Sequence, residues 1–154
     1  MRYALNPLIV AIISELKDAT PSLSFNGNAI DVFTSVSVEN LLNDGIPVVV
    51  IRPANTIEID VNKDDLSHEY VIEIEVYSKF AVGLGGWGNN NDIVDQVLAK
   101  FRPNVNVALD LSADNFKVVA QEMDNISSFI ESFSDSVLYS NTISITFNIT
   151  DLTT

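Results

Sequence analysis

Cysteine is absent from this chain of 154 residues, and histidine occurs once. Disulfide staples, thiol chemistry and Cys/His zinc sites are thereby excluded, and carboxylate oxygens are left as the only plentiful metal ligands. Cations are scarce too: 8 Lys and Arg stand against 21 Asp and Glu, for a formal net charge of −13. Such a surface repels phosphate backbones and anionic membranes. It also repels copies of itself, so an assembly must bury apolar area, pair its few cations well or take up counterions. Long hydrophobic runs are missing as well. The run near the start, Leu8 to Ile13, follows Asn6-Pro7, is interrupted by Ser14 and Glu15, and is far too short to span a bilayer. No small-residue cleavage site follows it, so the expectation is a soluble, unexported protein. No internal repeat occurs.

What is present reads as one globular domain over residues 1–154, with 47% hydrophobic and 19% charged residues. Asn6 as cap and Pro7 at the first helical position open a helix whose Ile9, Ile12, Ile13 and Leu16 share a face. Pro21 lies beyond its end, and Asn26-Gly27 marks a turn within the loop from Ser22 to Asn28. Residues 30–43 fit neither the helical nor the strand period. Asp44-Gly45 and Ile46-Pro47 lead into Val48 to Ile51, a short β-branched run expected to be a buried strand that Arg52-Pro53 stops. TIEIDV (56–61) and EYVIEIEVY (69–77) both alternate, and the polar NKDDLSH lies between them. They predict an antiparallel hairpin with Ile57, Ile59, Val61, Tyr70, Ile72, Ile74 and Val76 inward and Glu58, Asp60, Glu73 and Glu75 outward. Asp92 to Arg102 predicts a second amphipathic helix, with acids in its first turn, Lys100 and Arg102 in its last, and Pro103 beyond. Val105 to Leu109 and Lys117 to Met123 are strand candidates. The acidic, serine-rich stretch 124–135 carries no assignable pattern, and Thr142 to Asn148 alternates with Ile143, Ile145, Phe147 and Ile149 as a last half-buried strand. The sum is an α+β fold: a mostly antiparallel β-sheet with a central hairpin, flanked by two amphipathic helices.

Two stretches resemble printed motifs. Gly83, Gly85 and Gly88 spell G-x-G-x-x-G, and Asp110 lies about 20 residues on, where a dinucleotide site wants its ribose-binding acid. Against that reading, the preceding strand alternates with glutamates instead of being apolar on both faces. About half the chain precedes the glycines, and Asn89, Asn90 and Asn91 separate them from the expected helix. The bland reading is a mobile connector carrying one exposed aromatic, Trp87, as an anchor for a partner. The carboxylates Glu58, Asp60, Glu73 and Glu75 are weak candidates for a divalent-metal site. Asp60 to Asp64 looks like half an EF-hand loop, but Asp65 replaces the required glycine and Val71 the twelfth-position glutamate. A solvated acidic face is the default. His68, in the polar connection with no nucleophile nearby, reads as a surface histidine. No catalytic residue and no cofactor is expected.

The order of elements resembles the tail terminator, or tail completion, proteins of long-tailed bacteriophages of the lambda-like type. The likeness rests on NPLIVAIISELKDA, the DGIPVVV lead into a strand, HEYVIEIEVYSKF, the helix DIVDQVLAKFRP and the closing SITFNITD; the glycine stretch 83–88 departs from it. The resemblance implies a virion structural protein of the tail and neck, assembled in the host cytoplasm. It would form a homo-hexameric ring that docks on the last ring of tail tube protein, stops its growth and offers a surface to a neck or head-completion protein. DNA would pass through without specific binding. Lys63, Asp64, Asp65, His68, Lys79, Leu84 and Trp87, on the 62–68 and 79–90 loops, are the expected contacts to neighbouring rings. The alternatives are a neck or head-completion connector, a nucleotide-binding domain using Gly83 to Gly88, and a calcium-dependent binding module.

Overall fold

Leu8, Ile12 and Leu16 recur every four residues, and the chain winds into α1 (Leu5–Lys17) so that this stripe is fully buried. The computed structural model describes residues 3–36, 40–54, 67–101 and 109–153. Helix α1 begins earlier than its Asn6-Pro7 signal predicts, with Ala4 as the capping residue and no side-chain cap. The first helical N–H groups have no intrahelical acceptor, so Pro7 sacrifices nothing inside that first turn. The Ala4 N–H instead donates to Tyr70 Oη at 3.0 Å, pinning the start of the helix to the sheet.

The Asn26-Gly27 turn is realised as expected. It joins β1 (Ser24–Phe25) to β2 (Asn28–Ala29), with φ of 50° at Asn26 and 80° at Gly27. Both angles are positive, the pair of values a tight two-residue hairpin turn requires.

The main sheet has the order β3-β4-β5-β7-β6, from β3 (Val32–Phe33), β4 (Val48–Pro53), β5 (Ser67–Ala81), β6 (Phe116–Ser132) and β7 (Ser136–Asp151). Only the β3–β4 contact is parallel. Helices α1 and α2 (Gly88–Phe101) cover one face, and the protein is an α+β fold with a mostly antiparallel sheet. Alternate residues Tyr70, Ile72, Ile74 and Val76 of β5 and Ile143, Ile145, Phe147 and Ile149 of β7 meet the helices and are wholly buried. Each such side chain contributes about 1.5–3 kcal/mol of burial, which makes this helix–sheet layer the core.

The TIEIDV half of the expected hairpin, with Ile57, Ile59 and Val61, lies outside the described residues; the described neighbours of β5 are β7 and VVVIRP of β4, with Val49 opposite Val76 and Ile51 opposite Ile74. Two other stretches depart from the sequence reading. Helix α2 begins at Gly88 and takes in all three asparagines, which leaves Asp92 and Asp95 beyond its first turn. The cause is Asn90, fully buried, which accepts from Ser78 Oγ at 2.6 Å and donates to the carbonyls of Val76 and Tyr139 at 3.1 and 3.0 Å. The unassigned stretch after Asp124 is the second half of β6, a strand of 17 residues that forms a long hairpin with β7.

Candidate functional site

The outward carboxylates of β5 do face away from the helices, but they are not a solvated pair. Arg52 on β4 stands directly opposite Glu73, with its Nε 3.4 Å from Glu73 Oε2, and its guanidinium also closes on Glu75. Glu75 has a side chain only 3% exposed, and it accepts a second bond from Tyr77 Oη on its other oxygen. Thr34, Ser35 and Val36, just after β3, line a cleft of about 130 Å³ together with Arg52, Glu75 and Tyr77. The expectation of a hydrated acidic face therefore fails at Glu75, which is buried while an arginine supplies the compensating charge. Burial first, and the adjoining Glu75 carboxylate second, push the Tyr77 phenol well above its ordinary pKa. Of the weak metal candidates, Glu73 and Glu75 are thus committed to Arg52, and Glu58 and Asp60 lie outside the described residues. No group of three or more His, Asp or Glu able to hold a metal occurs among the described residues.

The glycine motif turns out to seat an aromatic ring. Gly83 and Gly85 have φ of 83° and 73°. A Cβ on Gly85 would overlap the Cδ1–Cε1 edge of the Phe80 ring, and so would one on Gly45, whose φ is 72°. Phe80 is therefore packed against two stretches of bare backbone, a close approach only glycine permits. The N–H groups of Val82 and Leu84 are used within the fold, donating to the carbonyls of Asp135 and Ala81 at 3.1 Å each. The start of α2 at Gly88 removes the asparagines as an objection to a phosphate cradle, yet the strand before the loop is antiparallel to both its neighbours. Asp110 is exposed and accepts from the Ser112 N–H at 2.9 Å; its bonds with Ser112 hold its carboxyl below the usual range.

The expected interface residues divide. Lys63, Asp64 and Asp65 lie outside the described residues. His68 is buried in β5 opposite Ile149, with neither ring nitrogen hydrogen-bonded, which corrects the surface histidine expected of a polar connection. Trp87 is half-buried and packs edge-on against Tyr139, with ring centroids 4.9 Å apart, so it is not the free aromatic of a mobile loop. Lys79 Nζ sits 5.7 Å from the centre of the Phe133 ring. Leu84 alone matches a freely presented contact, at 66% exposed.

Two features escaped the sequence reading. At one edge of the sheet, β6 from Asn125 to Ser132 is exposed on both faces, with Ile126 and Ile130 on the helix side and Phe129 on the other. At the opposite edge, beside β3, an apolar groove of about 750 Å³ is lined by Phe33, Val36, Leu41, Leu42 and Ile46, with Asp31 and Asp44 at hand.

No family model matches the chain, and no curated protein does. Among solved structures, one chain that carries only a sequence label and no functional name is 15% identical, aligns over 95% of this chain and 96% of its own length, and superposes with a TM-score of 0.53. That likeness extends to the fold as a whole and to nothing finer.

Proposed function

We propose that this chain is a structural protein that assembles head to tail into a ring capping a phage tail tube, where it stops tube growth and meets the neck. The observation that carries the reading is that, among the described residues, each of the two edges of the sheet presents exposed apolar side chains. Different surfaces on opposite sides of a subunit are what a heterologous contact needs, and repeating such a contact around an axis closes a ring. The resemblance in element order supports the same reading. The charge of −13 suits a wall along which DNA slides without sticking.

A neck or head-completion connector would share these properties, and the two differ in which particle end they bind. Negative-stain imaging of the protein alone, with tail tubes, and with DNA-filled heads tests both. Rings or capped tubes of arrested length are expected. A protein that binds only heads would favour the connector, and one that never associates with either particle would sink both readings. Nucleotide binding through Gly83 to Gly88 would instead raise the melting temperature in millimolar NAD or ATP, and no such rise is expected.

A further inference from the structure

The segment of β6 from Asn125 to Ser132, Asn-Ile-Ser-Ser-Phe-Ile-Glu-Ser, is a sheet edge without the usual protection. Natural edges are blunted by proline, lysine, bulges or shortness. Here the two bulges of β6 fall earlier, between Val118 and Ala120 and between Met123 and Asn125. Beyond them the pairing with β7 is unbroken to Ser132, with no proline or lysine and one charge, Glu131. No described strand lies on the outer side of β6, and its side chains are exposed on both faces, Phe129 to 56%. The opposite edge is the reverse in shape. Strand β3 is two residues long, and beside it the walls of the groove leave Leu42 exposed to 73%. A cavity of about 750 Å³ falls within the range of roughly 300–1,000 Å³ that accepts a compact apolar ligand, enough for a few large side chains.

We infer that the β6 edge of one copy enters the groove beside β3 of a second copy, with Ile126 and Ile130 meeting one wall and Phe129 the other. This rests on the ring reading and says which surfaces make the ring. The second copy is the occupant the molecule itself argues for, since ridge and groove lie at opposite ends of one sheet and one chain supplies both. Asp31 and Asp44 at the groove face Glu131 on the ridge with the same sign, so the contact is held by apolar burial and strengthens as salt screens the carboxylates.

The absence of native cysteine makes introduced ones unambiguous reporters. Phe129→Cys and Leu42→Cys replace exposed side chains, and an unchanged melting curve for each full-length variant checks that it folds. Mixed at high concentration and oxidised, with one partner mass-tagged, the two are expected to form a covalent heterodimer well in excess of either self-pair. A Phe129→Cys self-pair in equal or greater yield would overturn the inference in favour of an edge-to-edge dimer. A second variant, Ile130→Lys, is expected to weaken self-association in sedimentation by more than about tenfold with its melting temperature unchanged; wild-type association would overturn the contact. Rings in micrographs without the heterodimer sink this contact and leave the ring reading standing. Heterodimer without rings or capped tubes supports the contact and sinks the ring.

Discussion

At the scale of single residues, Glu73, Glu75 and Asp110, which look functional from the sequence, are engaged in holding the fold. Arg52 is the counterion of a carboxylate that has almost no contact with water. Removing one partner of a buried ion pair costs several kcal/mol, and the half-exposed position of Arg52 reduces that here. Arg52→Met is expected to lose about 2 kcal/mol in urea unfolding and, for a chain of this size, about 6 °C in melting temperature. Tyr77 and Tyr70 both have raised pKa values, with burial as the first cause in each. Above pH ~10 the unfolded chain releases these protons while the folded one keeps them, so stability is intact below that pH and declines as it rises further. Tyr77→Phe should flatten that decline by up to ~1.4 kcal/mol per pH unit, measured by denaturant titrations between pH 9 and 11.5. Asn90 reads in the sequence as a connector residue ahead of the helix and not as a buried helical one, because nothing in three consecutive asparagines says which of them will find two carbonyls and a hydroxyl. Asn90→Ala leaves these groups without their partner and is expected to cost about 2–3 kcal/mol.

At the scale of elements, the sequence displayed whatever was half-buried. Strands β5 and β7 alternate because one face meets the helices, and both were readable, as were α1 and the Asn26-Gly27 turn. The second half of β6 was not readable, and the reason is physical. Phe129, Ile130 and Phe133 lie three, four and seven residues beyond Ile126, the period of a helix face, while the part of β6 that holds the first three of these apolar residues buries neither of its faces and Phe133 follows just past its end. Alternation records one-sided burial, so a strand exposed on both sides carries none. Hydrogen exchange should separate the two cases. Amides of β7, bonded on both sides by β5 and β6, are expected to exchange at the slow, global limit, whereas the outward amides of β6 from 125 to 132 exchange quickly in the monomer and slow down on assembly. Outward amides of β6 that exchange equally slowly in the dilute monomer would mean that something within the chain already covers that edge.

At the scale of the whole molecule, the balance of 21 acidic against 8 basic residues decides how copies meet. Carboxylates repel across any contact between subunits, and screening lengths shrink from about 10 Å at 0.1 M salt to about 3 Å at 1 M. Association measured by sedimentation velocity is therefore expected to strengthen with added NaCl, and more steeply with magnesium at equal ionic strength. Association that weakens with salt would point to a cationic partner surface and against contact between like copies. The hexameric ring stands in the sequence only as a resemblance, and the surfaces that would build it lie mostly in the two stretches, 30–43 and 124–135, that the sequence pattern leaves unassigned.

Phe80 links these scales. Its ring packs against the backbones of both Gly45 and Gly85, edge-on to Tyr139, with Asn89 tying the Gly45 carbonyl to the start of α2 at 2.8 Å. The ring current of an aromatic side chain displaces the signals of protons packed against it, so the α-protons of both glycines should stand apart from the crowded part of a proton spectrum. Gly45 belongs to the loop that walls the groove, and Gly85 to the loop that carries Leu84. A partner settling on either surface would shift one glycine signal ahead of the other, and a single unlabelled spectrum would then tell which edge of the subunit had been engaged.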